Sequence, residues 1–327
     1  MWRKIRLPKN RDTLAHPGGE EGVVLLLVLW VLALISVVVL GWAQEWRTEL
    51  KLAANFREGH QSRRLAEAGV YYALGKLVEA RVAELARQTA ATQDSQIIPS
   101  GIWQGDQSTF TLSLPGGQVK IRVEDEGGKI NLNRATEPVL TKLFLGLGFG
   151  ETRVRTMVDS LLDWRGRENV ARPYGAKDSY YLSLDPPYPA RKARFEVVQE
   201  LSWVRGFEGL ALLPRLGEWL TVQETGTGIN VNTAPLEVLL ALGLPPDLAS
   251  TLILNRQTLP LSLQDLRQMS DPKFSQTLGF LGSPFFTIKS TGMVNNRSRH
   301  TIKAAVSVDP SGENPWEIFS WADDVPA

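Results

Sequence analysis

The sequence predicts an α+β protein with a long N-terminal hydrophobic helix, a small antiparallel sheet, and a large, mainly helical domain inserted into that sheet. Three observations carry this reading. Residues Gly22 to Ala43, GVVLLLVLWVLALISVVVLGWA, include no charged side chain. Two sets of strand-like alternation, over 110–123 and 285–308, stand about 160 residues apart. Between them GKINLNRA at Gly128 returns as the near copy GINVNTA at Gly228.

The chain opens with a polar leader. Its Arg3, Lys4, Arg6, Lys9 and Arg11 outnumber Asp12, Glu20 and Glu21, which favours a cytoplasmic N-terminus. The 21 residues from Val23 to Ala43 reach about 32 Å as a helix, enough to cross a hydrocarbon core of ~30 Å. A secretory signal peptide has a shorter apolar core and a small-residue cleavage site. Here the run ends in Gly41-Trp42 and passes straight into a charged, helix-favouring stretch.

From Gln44 to about Arg87, apolar residues recur at three- and four-residue steps (Leu50, Ala53, Ala54, Leu65, Ala68, Tyr72, Leu74, Leu77, Val78), interrupted by Gly59, Gly69 and Gly75 but by no proline. This continues the helix as a stalk. Residues 90–101 lack a period and read as a loop. Phe110, Leu112 and Leu114, then Val119, Ile121 and Val123, flank Pro115-Gly116-Gly117 and predict a β-hairpin. The remaining strands are expected at 285–290 and 301–308. The boundaries that follow are a leader over 1–22, a spanning helix over 23–43, a stalk over 44–89, a sheet domain over 102–127 and 283–327, and the inserted domain over 128–282.

The insertion holds the repeat, near 128–165 and 228–256. Ile130 and Ile229, Asn133 and Asn232, and Val139 and Val238 share one offset of 99 residues. In each copy the asparagine is expected to cap the helix that follows, with Pro138 or Pro235 near its start. A glycine or proline break follows (Gly146-Leu147-Gly148; Gly243-Leu244-Pro245), and then a second helix. The two copies read as helix-hairpin-helix-like or sterile-alpha-motif-like units. The first would present its glycine turn to phosphate; the second would only pack. Charge favours packing. Residues 129–165 carry six basic and four acidic side chains, and 228–256 carry one and two, too little for phosphate neutralisation.

Composition excludes more than it names. The 327 residues have a net charge of +1, so bulk electrostatics gives no reason to expect nucleic acid. With no cysteine there are no disulfides and no thiolate metal sites. His16, His60 and His300 fall in the leader, the stalk and a loop, and none belongs to a catalytic constellation. Gly146-Leu147-Gly148-Phe149-Gly150 has the wrong spacing for a dinucleotide loop. No enzyme is expected.

A polar leader that ends at Gly22, directly before an apolar helix, resembles the signal of type IV pilins and type II secretion pseudopilins. Prepilin peptidase cuts such a leader on the cytoplasmic side after the glycine, so the resemblance implies processing between Gly22 and Val23. Glu20 and Glu21 stand where basic residues usually precede that glycine. Most pilins carry glutamate at the fifth mature position, paired with a neighbouring subunit's terminal amine. Here that position is Leu27, which among pseudopilins marks the K type, seated first at the tip.

A second series supports the same resemblance: Asp163-Trp164, Gly175-Ala176-Lys177-Asp178-Ser179-Tyr180-Tyr181, Pro186-Pro187-Tyr188, Phe195, Glu200-Leu201 and Val204-Arg205-Gly206. It is similar to the series of K-type minor pseudopilins, and with the span and the repeats it covers nearly the whole chain after Gly22. The resemblance implies an inner-membrane protein, single-pass, with its bulk in the periplasm, that forms the pseudopilus tip with I- and J-type minor pseudopilins. It implies no nucleic-acid partner. A type IV pilus or competence-like minor pilin that binds DNA through the repeats is the alternative.

In that family the loop after the Asp-Trp pair is associated with calcium. Asp163, Glu168 and Asp178 are the oxygen donors left here for such an ion. Gly166 stands in place of an aspartate and Lys177 in place of an acid, and Arg165, Arg167 and Lys177 oppose a divalent cation. Salt bridges are the alternative to the metal, and no other cofactor is expected.

Overall fold

The computed structural model describes residues 20–89, 103, 105–226, 228–258, 261, 277–279 and 282–323. The leader up to residue 19 and the loop expected over 90–101 lie outside the described residues. In chain order the elements are α1 (Glu20–Thr89), β1 (Asp106–Leu114), β2 (Gly117–Asp125), β3 (Ile130–Asn131), α2 (Glu137–Gly146), α3 (Glu151–Arg165), α4 (Asp178–Tyr181) and β4 (Leu220–Thr221). They continue with β5 (Ile229–Asn230), α5 (Leu236–Ala241), α6 (Pro246–Thr258), β6 (Leu278–Gly279), β7 (Phe285–Val294), β8 (Ser298–Val308) and β9 (Trp316–Asp323). Short 3₁₀ turns occupy Glu126–Gly128, Val198–Trp203 and Leu213–Glu218.

The chain divides into two units, Met1–Glu58 and Gly59–Ala327. In the first, α1 is already helical at Glu20, three residues ahead of the start at Val23 that the sequence suggests. Side chains from Gly22 to Arg57 are exposed, and the apolar run has a mean hydropathy of 3.4, suited to a bilayer. Its one hydroxyl, Ser36, donates to Leu32 O at 2.7 Å, so no polar group of that side chain is left to lipid. Trp42 lies at the end of the run and Trp46 just beyond it, where indole rings favour the membrane interface.

In the second unit the residues of α1 from Gly59 onward lie on a five-stranded antiparallel sheet of order β1-β2-β7-β8-β9. Leu65, Ala66, Val70, Ala73, Leu74 and Leu77 pack on Val119, Ile121, Ile288, Ile302, Ala304 and Val306. The helix backbone comes very close to β7. A Cβ on Gly292 would stand 2.0 Å from Ser62 O, so only glycine fits there. Strands β1 and β2 form the expected hairpin, with Pro115 and Gly116 (φ 95°) as its two turn residues and Gly117 already paired with Leu114.

Strand β9 was not foreseen. Trp316, Ile318, Phe319 and Trp321 do not alternate, and the pairing with β8 shows why. Ala305 pairs with Ser320 but Val306 with Ile318, so Phe319 is the extra residue of a bulge that flips the parity.

The repeat is real and reaches further than the sequence shows. β3 pairs with β4 and β5 with β6, each as a short parallel ladder, while α2 packs on α5 over one shared core. The turns just beyond α2 and α5 share one motif, built on Gly148 (φ 89°) and Gly243 (φ 97°), with Phe149 N donating to Phe144 O and Leu244 N to Leu239 O, both at 3.2 Å. The glycine to align with Gly243 is therefore Gly148, and α5 is about one turn shorter than α2.

The asparagines do not cap these helices. The residue at the cap position is Thr136 in one copy and Pro235 in the other, and neither makes a side-chain cap bond. Asn131 and Asn230 instead turn back on the amides of Asn133 and Asn232 (2.8 and 3.1 Å). Asn133 clamps a distant backbone, accepting from Phe195 N (2.7 Å) and donating to Phe195 O (3.0 Å). Asn232 does the same to Leu261 (2.7 and 3.1 Å). An arginine closes each copy: Arg165 donates to Leu132 O and Ala135 O, and Arg256 to Val231 O and Ala234 O.

Candidate functional site

Beyond α3 the chain folds a loop that lines a polar cleft of about 330 Å³ with Asn133, Asp163, Arg165, Arg167, Glu168, Arg172, Lys177 and Arg194. The end of α3 also carries an aromatic cluster. Trp164, from the last turn of α3, meets Tyr181 edge-on at 5.0 Å, and Tyr188 stands between Tyr181 (5.5 Å) and Trp203 (5.2 Å). Tyr181 is buried and its hydroxyl accepts from Arg205 N at 3.2 Å. Burial pushes that phenol well above its ordinary range, so it stays neutral. The Arg205 guanidinium lies 4.7 Å over the Tyr180 ring. The Asp-Trp, Tyr-Tyr and Pro-Pro-Tyr residues of the sequence series thus form one structural cluster under the loop.

The three expected oxygen donors do not converge. Asp163 is buried, with Oδ2 accepting from Arg172 N at 3.0 Å. Burial pushes its carboxyl up, against the pull of that amide and of Lys177 and Arg172. Glu168 is exposed on the rim of the cleft. Asp178 opens α4 and turns elsewhere, accepting from Ala190 N at 2.9 Å and from Lys192 Nζ. Its hydrogen bond to Lys192 holds its carboxyl below the ordinary value. Among the described residues no three His, Cys, Asp or Glu side chains gather as a metal site. Lys177, read from sequence only as an opposing charge, is buried and points its ammonium at Asp163 O (2.7 Å) and Gly166 O (3.1 Å), with Asp163 Oδ1 at 3.9 Å. No spacing rule ties Lys177 to two carbonyls upstream, so only the fold reveals the contact.

A second polar cluster joins sheet and insertion. Asp125, at the end of β2, is buried. Its Oδ1 accepts from Gly127 N, Ser283 N and Ser283 Oγ, and its Oδ2 from Asn230 Nδ2 (2.8 Å) and Thr233 Oγ1 (2.9 Å). Beside it the buried Lys129 donates to Glu124 (2.8 Å) and Glu126 (2.7 Å), and Thr287 also donates to Glu126 (2.8 Å). For Glu124 burial pushes the carboxyl up, but Lys129 outweighs it and the group sits below its ordinary value. The processing residues Gly22 and Val23, and Leu27, lie on the first turns of α1 with exposed side chains.

The sequence profile of the family "Type II secretion system (T2SS), protein K" matches residues 122–224, which span the end of β2, the first repeat, the aromatic cluster and the loop. The type II secretion system protein K of Pseudomonas aeruginosa is 30% identical over 237 residues, covering 68% of each chain. The chain belongs to the type II secretion system protein K family. The Aeromonas hydrophila protein K is 24% identical over 234 residues, 65% of this chain and 67% of that one. In fold, the chain is similar to one in the crystal structure of the GspK-GspI-GspJ complex of enterotoxigenic Escherichia coli, with a TM-score of 0.52 and 17% identity over 82% of this chain and 99% of the other. A protein K is a minor pseudopilin of type II secretion, and its apolar helix makes this one membrane-anchored. None of these matches favours the DNA-binding pilin alternative.

Proposed function

We propose that this chain is the tip subunit of a periplasmic pseudopilus, held in the inner membrane by residues 23–43 and cut by prepilin peptidase between Gly22 and Val23. The basic leader supports an N-in orientation, and so a periplasmic location for the rest. Its partners are I- and J-type minor pseudopilins. The shared fold with a chain of the GspK-GspI-GspJ complex supports this, as do Trp46, Leu50, Leu52 and Phe56, exposed beyond the span on one broad helix face that partner helices would cover. Its work is assembly rather than catalysis.

The observation that carries the tip position is Leu27. A carboxylate in a membrane persists only where a partner offsets its cost. With leucine at the fifth mature position, this subunit offers no acceptor for the amine of a subunit ahead of it and can stand first. Gold labels on the periplasmic part, viewed by electron microscopy on assembled pseudopili, should mark one end only; labels along the shaft would reject the tip position. Intact-mass measurement on membrane-extracted protein should give Val23 as the first residue, and Gly22→Ala should leave the precursor uncut.

A further inference from the structure

The loop after α3 has the frame of a cation site, with backbone carbonyls turned inward beside a buried carboxylate, yet no converging acidic set. We infer that the Lys177 ammonium is the loop's own cation: it occupies the place an oxygen-liganded ion would take and orders residues 166–175 without a metal.

Four observations lead there. The Nζ of Lys177 sits between Asp163 O (2.7 Å) and Gly166 O (3.1 Å), with Asp163 Oδ1 at 3.9 Å, so three oxygens from the end of α3 face one charge delivered from beyond the loop. These are the hard donors a divalent cation uses at ~2.3–2.6 Å; here the two carbonyls stand at hydrogen-bond distance and the carboxylate at ion-pair distance. Lys177 is 5% exposed, and a buried ammonium persists only when paired and hydrogen-bonded.

The two buried or anchored carboxylates near the loop each have a lysine of their own, Asp163 with Lys177 and Asp178 with Lys192. Neither has charge to spare for an ion. Asp163 Oδ2 is further committed to the Arg172 amide, and a Cβ at Gly175 would stand 1.9 Å from that oxygen, so the loop is closed tightly over the carboxylate.

The rest of the cleft repels a divalent ion. Arg165, Arg167, Arg172 and Arg194 line it against the single exposed carboxylate of Glu168. A calcium ion entering here would have to displace Lys177 and meet four guanidinium groups. A tethered ammonium carries half the charge of that ion, so it meets a weaker repulsion, and it needs no capture from solution because the chain itself delivers it.

Limited trypsin digestion of the full-length protein in detergent tests this, because Arg167 lies within the loop and is followed by Glu168, a cleavable bond, and cleavage follows the population of the loop's open form. Cleavage after Arg167, followed by mass spectrometry, should proceed at the same rate in excess chelator and in millimolar calcium. In Lys177→Met, which keeps the length of the stem but removes the charge, that cut should become at least about tenfold faster. A natural chain whose loop is cut several-fold faster in chelator would overturn the inference. So would a Lys177→Met variant cut no faster than the natural chain. If Lys177→Met does not fold, the comparison of the natural chain with and without calcium still decides.

Discussion

Asn131 and Asn230 stand at the same place in the two copies of the repeat, yet they are tied to different things. Asn131 donates its side-chain amide to Gln223 O at 2.7 Å, within the insertion, whereas Asn230 donates to the buried carboxylate of Asp125 at 2.8 Å, at the end of the sheet. The copies share their turn, their backbone clamp and their arginine closure. What differs is attachment. Copy two, β5 with α5 and α6, is bolted to the sheet through Asp125, Thr233 and Ser283; copy one, β3 with α2 and α3, runs from its arginine directly into the loop at Lys177. Duplication supplied one scaffold twice, and each copy's flanking polar residues gave it a separate task.

The largest effect should come from the joint. Lys129→Met leaves Glu124 and Glu126 buried without the ammonium they share, with only Arg122 at 3.5 Å from Glu124, and breaking a buried pair this way costs about 3–5 kcal/mol. Urea unfolding at pH 7 measures it, and pH identifies its source. In the natural chain Glu124 titrates below its ordinary value, so its contribution is complete above about pH 4.3 and is lost as pH falls through the folded value. In the variant Glu124 loses its largest stabilising partner and keeps only the weaker pull of Arg122 and Lys303 against burial, so its pKa should rise and acid should relieve the repulsion. The gap between variant and natural chain should therefore shrink from pH 7 to pH 4.5; a constant gap would assign the loss to packing.

A smaller effect should distinguish the two clamps. Asn133→Ala and Asn232→Ala each remove two hydrogen bonds to a distant backbone, worth about 1–3 kcal/mol together. Asn232 is 7% exposed and Asn133 only half-buried, so the second copy should lose more. Hydrogen exchange should speed up at the Phe195 amide in one variant and at the Leu261 amide in the other. Acceleration at both sites in either variant would mean that the copies are coupled rather than separate.

The sequence made the periodic features readable and left the side-chain partnerships hidden. The apolar helix, the hairpin and the repeat show as spacing patterns; the fold keeps the helix and the hairpin, and keeps the offset of 99 residues as far as the paired asparagines but not at the break, where Gly243 aligns with Gly148. Strand β9 escaped because the bulge at Phe319 breaks the alternation that would have announced it. The asparagines were noticed but given the wrong partner. A helix cap is a local rule, and these side chains reach 62 and 29 residues away instead. From sequence Lys177 is only a positive charge in the loop; that it points inward at two carbonyls depends on the closure of a loop with no period of its own. Arg165 and Arg256 offered one overlooked signal, since each is an arginine near the end of the second helix of its copy.

The smallest expected effect concerns the break in copy one, where the two glycines of Gly146-Leu147-Gly148 should respond with opposite signs. Gly146 is the last residue of α2, without positive φ, and a Cβ there would meet nothing within 4 Å. Gly146→Ala should then stabilise by about 0.4–1 kcal/mol, through the entropy it removes from the unfolded chain. Gly148 has equally open surroundings, but its φ is 89°. Alanine is strained there, and Gly148→Ala should cost about 1–2 kcal/mol. Because neither site is crowded, the difference isolates backbone conformation from packing. Gly148→Asn should fall between the two, since asparagine tolerates the left-handed region better than alanine. Thermal unfolding of the three variants measures all of this. Equal losses at both glycines would mean that the break serves packing against a neighbour and not the turn that ends α2, and its match to the turn at Gly243 would then lose its physical basis.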